Sequence, residues 1–175
     1  MIMEQYCYRY PHPAVTTDCV VFGYDGLRLN VLLIERGGDP YKGCWAFPGG
    51  FLNIDEDAPD GARRELREET GLEVTDIQQL GAFTKPDRDP RERVISIAFF
   101  TLTHLQDVVG ADDARVARWF PINQLPQLAF DHQQMFEQAL QRLSDCLKLK
   151  TGNFFSGDFS YEEIDMIYFA TLSKR

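Results

Sequence analysis

From residue 15 to residue 35 the chain alternates in a strand-like way, VTTDCVVF and LRLNVLLIE, broken once at Tyr24-Asp25-Gly26. An Asp-Gly pair between two β-branched runs predicts a β-hairpin. Residues 36–48 lose this periodicity and carry Gly37-Gly38, Pro40, Gly43 and Pro48, with Gly49-Gly50 next, which predicts a loop. Helical spacing takes over at 58–70, where Pro59 suits a first turn and Gly71 sits where a left-handed C-cap belongs. Residues 74–84 and 93–105 predict two further strands, the second richer in Val, Ile and Phe, with the charged loop KPDRDPRER between them. A polar loop over 106–114 leads to a short strand or turn at 116–120. Behind Asp131, a candidate N-cap, Met135, Ala139, Leu140, Leu143 and Leu147 recur at helical spacing. A last helix begins at Ser160, with Glu163 completing a capping box and Ile164, Ile167, Tyr168 and Leu172 available for an apolar stripe. Strands that precede, separate and follow one short central helix imply an α/β or α+β fold with a mixed sheet.

The length, 175 residues, is that of one domain with a short terminal extension, and we expect a main domain over 1–150 and a helical extension over 151–175 packed on it. A content of 44% hydrophobic residues fills a sizeable core and excludes general disorder. Acidic residues outnumber basic ones 27 to 18, for a net charge of -9. Such a chain repels nucleic-acid backbones, so no nucleic-acid partner is expected, whereas a cation site is natural. The four cysteines are scattered, without a CxxC pair, and the three histidines lack zinc-ligand spacing. The N-terminus has no signal-peptide pattern, and the longest apolar run, 94–105, is too short to span a bilayer. The expectation is a cytoplasmic protein with no membrane association.

The chemistry concentrates in GFLNIDEDAPDGARRELREETGL, residues 50–72. Glu65, Glu68 and Glu69 stand at i, i+3 and i+4, so a helix puts all three on one side. Like charges at that spacing cost a helix roughly 0.2–0.5 kcal/mol per pair. Glu68 and Glu69 also sit at the negative end of the helix dipole. Two local rules are broken at one place, as expected where a divalent cation compensates. Taken alone, the acids also fit a solvated face neutralised by Arg63, Arg64 and Arg67.

The whole stretch decides between these. Gly50, Glu56, Arg64-Glu65-Leu66, Glu68-Glu69 and Gly71-Leu72 fall at the spacing of a complete Nudix box, and the chain resembles the Nudix hydrolase family. The resemblance implies a Nudix α/β/α sandwich with a mixed, curved sheet. It also implies hydrolysis of a nucleoside diphosphate linked to another moiety, with Mg²⁺ or Mn²⁺. By the same resemblance Glu65, Glu68 and Glu69 would be metal ligands, joined by the carbonyl of Gly49. Arg64 would hold the glutamates in place, and Glu56 would support the loop or bind a further cation. The general base would be Glu65 or Glu69, or an acid outside the box, for which Asp112 and Asp113 are the candidates.

A second similarity, carried by FTKPDRDPRERVISIAFF (83–100) and ARWFPINQLPQLAFDH (117–132), is to the ADP-ribose pyrophosphatase branch and its regulatory relatives. It implies cleavage of ADP-ribose to AMP and ribose 5-phosphate, with another Nudix substrate (an oxidised nucleoside triphosphate, a dinucleoside polyphosphate or a nucleotide sugar) or a non-catalytic sensor as alternatives. The regulators carry a C-terminal winged helix, for which the 25 residues after Lys150 are too few. Arg88, Arg91 and Arg93 become candidate contacts to phosphate or ribose, with Arg36 and Lys42 weaker ones; a solvated loop paired with Asp87, Asp89 and Glu92 is the competing reading. Tyr10, Trp45, Phe47 and Phe83 are available to stack a base, though aromatics in a domain of this size are mostly core. Homodimers are common in this branch, so the stripe on the last helix has two possible uses, its own domain or a second subunit.

Overall fold

The computed structural model describes residues 7–110, 114–149, 151 and 154–173. Eight strands and three helices follow one another as β1 (Ala14–Tyr24), β2 (Leu29–Arg36), β3 (Trp45–Ala46), β4 (Gly49–Phe51), α1 (Ala58–Thr70), β5 (Gln78–Phe83), β6 (Val94–His104), β7 (Ala114–Pro121), α2 (His132–Leu149), β8 (Phe155–Ser156) and α3 (Tyr161–Leu172). The expected hairpin joins β1 to β2. Its turn is held by the Asp25 carboxylate, which accepts the N–H groups of Leu27 and Arg28 at 2.9 and 2.7 Å.

The strands form one mixed, open sheet in the order β3-β2-β1-β6-β5, with β4 on β1, β7 on β2 and β8 on β6. β1 and β6 run parallel in unbroken register from Ala14↔Val94 to Tyr24↔His104. The other edge of β1 is shared: Phe22 to Tyr24 pair with β2, while Thr16 to Asp18 pair with β4. That division lets β4 bring two glycines against the middle of the sheet.

Alternation along β1 sends its side chains to two cores. Val20, Phe22 and Tyr24 pack with Phe100, Leu102 and the Met135, Phe136, Ala139 and Leu143 face of α2. Cys19 and Val21 meet Ala62 and Leu66 of α1, with Leu72 and Val74. Helices therefore cover both faces, as in an α/β/α sandwich. Ile167 is fully buried in the α2 core, with Ile164 and Tyr168 packed beside it, so the stripe on α3 lies on its own chain.

Several boundaries depart from expectation. The strand expected from residue 74 begins at Gln78, and Val74 instead plugs the core beneath α1 from a loop. The segment expected as loop holds β3, and β4 follows it. Asp131 does precede α2, but its carboxylate goes to Arg88.

Candidate active site

Helix α1 is set by its ends. The Asp57 carboxylate accepts the Ala58 N–H at 2.9 Å, Pro59 lies in the first turn, and Gly71 closes the helix at φ 71°, donating its N–H to Arg67 O. Ala62 and Leu66 anchor the helix to the sheet. Arg64, Glu65, Glu68 and Glu69 are thereby turned toward β4.

Arg64 organises the acids. Its Nε and Nη2 form a fork on Glu56 at 2.8 and 2.8 Å, and its Nη1 donates to Glu65 at 2.7 Å and Glu68 at 3.0 Å. Nη2 also reaches the Phe51 carbonyl at 3.2 Å. The hydrogen bonds from Arg64 hold the Glu56 carboxyl below its ordinary range. Burial pushes Glu65 up, with Glu68 and Glu56 adding to the shift against the pull of Arg64. Glu69, 6% exposed, accepts the Gly49 N–H at 2.8 Å.

The two glycines of β4 leave no room for side chains. A Cβ on Gly50 would lie 2.5 Å from the Glu65 carboxylate, and one on Gly49 would lie 2.2 Å from the Thr17 carbonyl oxygen. Five carboxylates (Asp18, Glu56, Glu65, Glu68, Glu69) thus gather around one guanidinium and a bare stretch of backbone. This is the donor set that hard, oxygen-seeking cations choose. Among the described residues, no three His, Cys, Asp or Glu side chains already converge as a ligand set. Glu65 and Glu68 point to Arg64, and Glu69 points to Gly49.

The acids share the lining of a cavity of about 450 Å³ with Arg36, Arg88, Arg91, Phe51 and Phe130. The Arg91 guanidinium lies 5.5 Å from the Phe51 ring and 6.0 Å from the Phe130 ring, and that of Arg36 lies 4.8 Å from Phe130. Arg91 is held by a fork on the buried Asp89, at 3.0 and 2.7 Å. Arg36 donates to the Pro40 carbonyl at 2.8 Å. Phe130 adopts φ 52°, a conformation uncommon for a bulky residue and characteristic of functional sites.

The candidates from the sequence divide. Glu65, Glu68, Glu69, Arg64, Gly49, Arg36, Arg88 and Arg91 all line the cavity. Glu56 stands behind it, reaching it through Arg64. Arg88 is 7% exposed, because its guanidinium forks onto Asp131 at 3.0 and 2.7 Å. Arg93 is exposed, outside the lining, and donates to Lys85 O at 3.1 Å. Asp112 and Asp113 lie outside the described residues. Of the four aromatics, Phe83 is core, Phe47 is buried but part of the cavity lining, Trp45 packs edge-on against Phe120, and Tyr10 is exposed.

Sequence reasoning missed Asp18, His132, Phe51 and Phe130. Asp18 had a visible signal, a charge inside an apolar strand. His132 sits beside it: Nε2 lies 3.6 Å from Asp18 Oδ1, and Nδ1 accepts the Phe47 N–H at 3.0 Å.

The NUDIX domain family matches residues 12–139 of this chain. The chain belongs to that family. It is 41% identical to an ADP-ribose pyrophosphatase of Methanocaldococcus jannaschii over 137 residues, which cover 75% of this chain and 76% of that protein. It is 32% identical to the ADPR responsive transcriptional repressor NtrR of Acinetobacter baylyi, covering 78% of this chain but only 56% of the repressor. A MutT/nudix family protein from Enterococcus faecalis superposes with a TM-score of 0.82 at 29% identity, covering 96% of this chain and 77% of that one. The Nudix fold, read above from the box, is thereby shown. The protein is a Nudix pyrophosphohydrolase similar to ADP-ribose pyrophosphatase. Among the described residues, no helix of this Nudix protein is long and apolar enough to cross a membrane.

Proposed function

We propose that this Nudix protein hydrolyses the pyrophosphate bond of ADP-ribose to AMP and ribose 5-phosphate, with Mg²⁺ or Mn²⁺. The observation that carries the reading is the mixed lining of one cavity, where Glu65, Glu68 and Glu69 meet Arg36 and Arg91 seated on aromatic rings. A diphosphate needs countercharge from both sides, and a ribose or base needs a flat apolar surface beside it. The similarity to an ADP-ribose pyrophosphatase supports the same substrate.

Glu65, Glu68 and Glu69, with the Gly49 carbonyl, would hold the cation, and Glu56 would steady them through Arg64 or take a further ion. When bound, the cation neutralises the diphosphate and lowers the pKa of water. Arg91 and Arg36 orient the phosphates, and Phe51 and Phe130 pack against the nucleoside or the terminal ribose. The proton of the attacking water passes to a carboxylate: Glu65 or Glu69 in the cavity, or Asp112 or Asp113 before β7. Single-turnover rates of the four amide variants separate these. We propose a small nucleotide as the substrate and no nucleic-acid partner, since a net charge of -9 repels nucleic acid.

The test is product analysis with ADP-ribose, 8-oxo-dGTP, a dinucleoside polyphosphate and a nucleotide sugar, each with Mg²⁺ and with Mn²⁺. ADP-ribose turnover that EDTA abolishes supports the proposal. Turnover of another compound instead discards the substrate and keeps the chemistry. The similarity to an ADPR responsive repressor favours a second reading, an ADP-ribose sensor, which binding of ADP-ribose without cleavage would support.

A further inference from the structure

Two buried contacts in the wall of the cavity take no direct part in the proposed chemistry, and both begin at the entrance to α2. The first involves His132, 3% exposed. Its Nδ1 accepts the Phe47 N–H, so the ring proton belongs on Nε2, which faces Asp18 Oδ1. The other carboxylate oxygen of Asp18 accepts a hydrogen bond from the Ser96 hydroxyl. Asp18 is the ladder partner of Gly49, so close that a Cβ there would lie 2.7 Å from Oδ1. His132 thus braces the Pro48-Gly49 backbone from both sides, by Phe47 and by Asp18. The Gly49 N–H in turn holds Glu69.

The second contact is the fork of Arg88 on Asp131. The residue after Arg88 is the buried Asp89, which clamps Arg91 over Phe51 and Phe130. Asp131 therefore fixes the loop that presents Arg91.

We infer that His132 and Asp131 are positioning residues that set different groups of the cavity lining, His132 the carboxylates through Asp18 and Gly49, Asp131 the Arg91 guanidinium through Arg88 and Asp89. Stability alone does not account for the Arg88–Asp131 pair, because well-packed apolar residues commonly replace buried ion pairs at no loss. Partners standing behind metal-binding groups typically matter about 10–100-fold in metal affinity or activity.

The inference rests on the proposed hydrolysis, and its test separates the two. Mn²⁺ affinity is read by EPR titration, kcat and KM with ADP-ribose, and folding by thermal melts. His132→Leu is expected to weaken Mn²⁺ binding and lower kcat by about tenfold or more, with KM nearly unchanged. His132→Gln is expected to restore most of both, because its amide can accept from Phe47 and donate to Asp18. Asp131→Asn is expected to raise KM by about tenfold while kcat and Mn²⁺ affinity hold. Should His132→Leu not fold, Ser96→Ala, which frees Asp18, takes its place with the same expected loss of Mn²⁺ affinity. The inference is overturned if a folded His132→Leu or Ser96→Ala binds Mn²⁺ like the wild type. It also fails if both sites move the same parameter in proportion to lost thermal stability. If the wild type leaves ADP-ribose intact, the proposed substrate fails, but the Mn²⁺ titration still decides the inference, with kinetics on whichever compound is cleaved.

Discussion

Gly49 and Gly50 are neighbours in one short strand, yet adding a methyl group to each should have opposite consequences. The Cβ of Gly50→Ala would lie 2.5 Å from the Glu65 carboxylate. Contacts between such atoms settle near 3.5 Å, so the carboxylate must retreat by about 1 Å. It can do so, being the end of a flexible side chain, at the expense of its 2.7 Å bond to Arg64. That pair is partly solvated, and its loss should cost at most about 1 kcal/mol. For a chain of this size, this lowers Tm by about 2–4 °C. Catalysis has no such tolerance: a displacement of about 1 Å in a cation-binding carboxylate costs on the order of 10²-fold in rate. In Gly49→Ala the added carbon meets the Thr17 carbonyl oxygen at 2.2 Å and Asp18 Cα at 2.9 Å, both backbone of β1. No side chain can swing away, so the ladder must part, costing about 1–3 kcal/mol or more. Calorimetry with kcat/KM on the substrate that the wild type cleaves tests the contrast. A kcat/KM for Gly50→Ala within about threefold of wild type would refute the contrast. It fails equally if Gly50→Ala melts below Gly49→Ala.

Other outcomes follow from the same geometry. Glu68→Gln and Glu69→Gln should each cut turnover by orders of magnitude, each removing a ligand charge; near-normal initial rates in both would refute the ligand assignment. EDTA should abolish turnover yet leave a cooperative melt, because Arg64 already hydrogen-bonds Glu56, Glu65 and Glu68 together, and a melt that collapses on chelation would contradict this role. Arg91→Ala should mainly raise KM, and steady-state kinetics showing a fall confined to kcat would count against a binding role. His132 is held below its ordinary pKa by burial, so the unfolded chain takes up its proton first as pH falls. Its contribution is complete above about pH 6.5 and is lost as pH falls below that value. Urea unfolding at pH 8 and pH 5 should therefore show a smaller acid loss in His132→Gln than in wild type, and equal losses would sink the argument.

The elements that local chemistry specifies were legible. Asp-Gly made the hairpin, Pro59 and Gly71 bounded α1, and Ser160 with Glu163 formed the capping box, with both reciprocal bonds present. What escaped was decided by distant partners. Gly-Gly-Phe has little strand propensity, and it becomes β4 only because β1 offers an unpaired edge beside it. Two-residue strands such as β3 and β8 are too short for any periodicity. At the site, the box showed which acids share a helix side, but the charged loop could not say which arginine faces the cavity. Arg88 turned inward because Asp131, far along the chain, supplies a buried fork, whereas Arg93 met only a carbonyl at the surface. Phe51 and Phe130 read as ordinary apolar residues, and only tertiary packing brings them around Arg91.

The parallel pairing of β1 with β6 also bears on when the site comes into being. Every carboxylate of the box is made before residue 70, and β1 and β4 are made earlier still. Yet Ala14 finds its parallel partner only at Val94, and Asp18 its hydroxyl only at Ser96. Closing so long a loop is among the slow, entropically costly events of folding. A chain emerging from the ribosome therefore carries the complete acid motif for some time without a cavity around it. Competence waits until the second half of the sheet docks and α2 brings Asp131 and His132 into place.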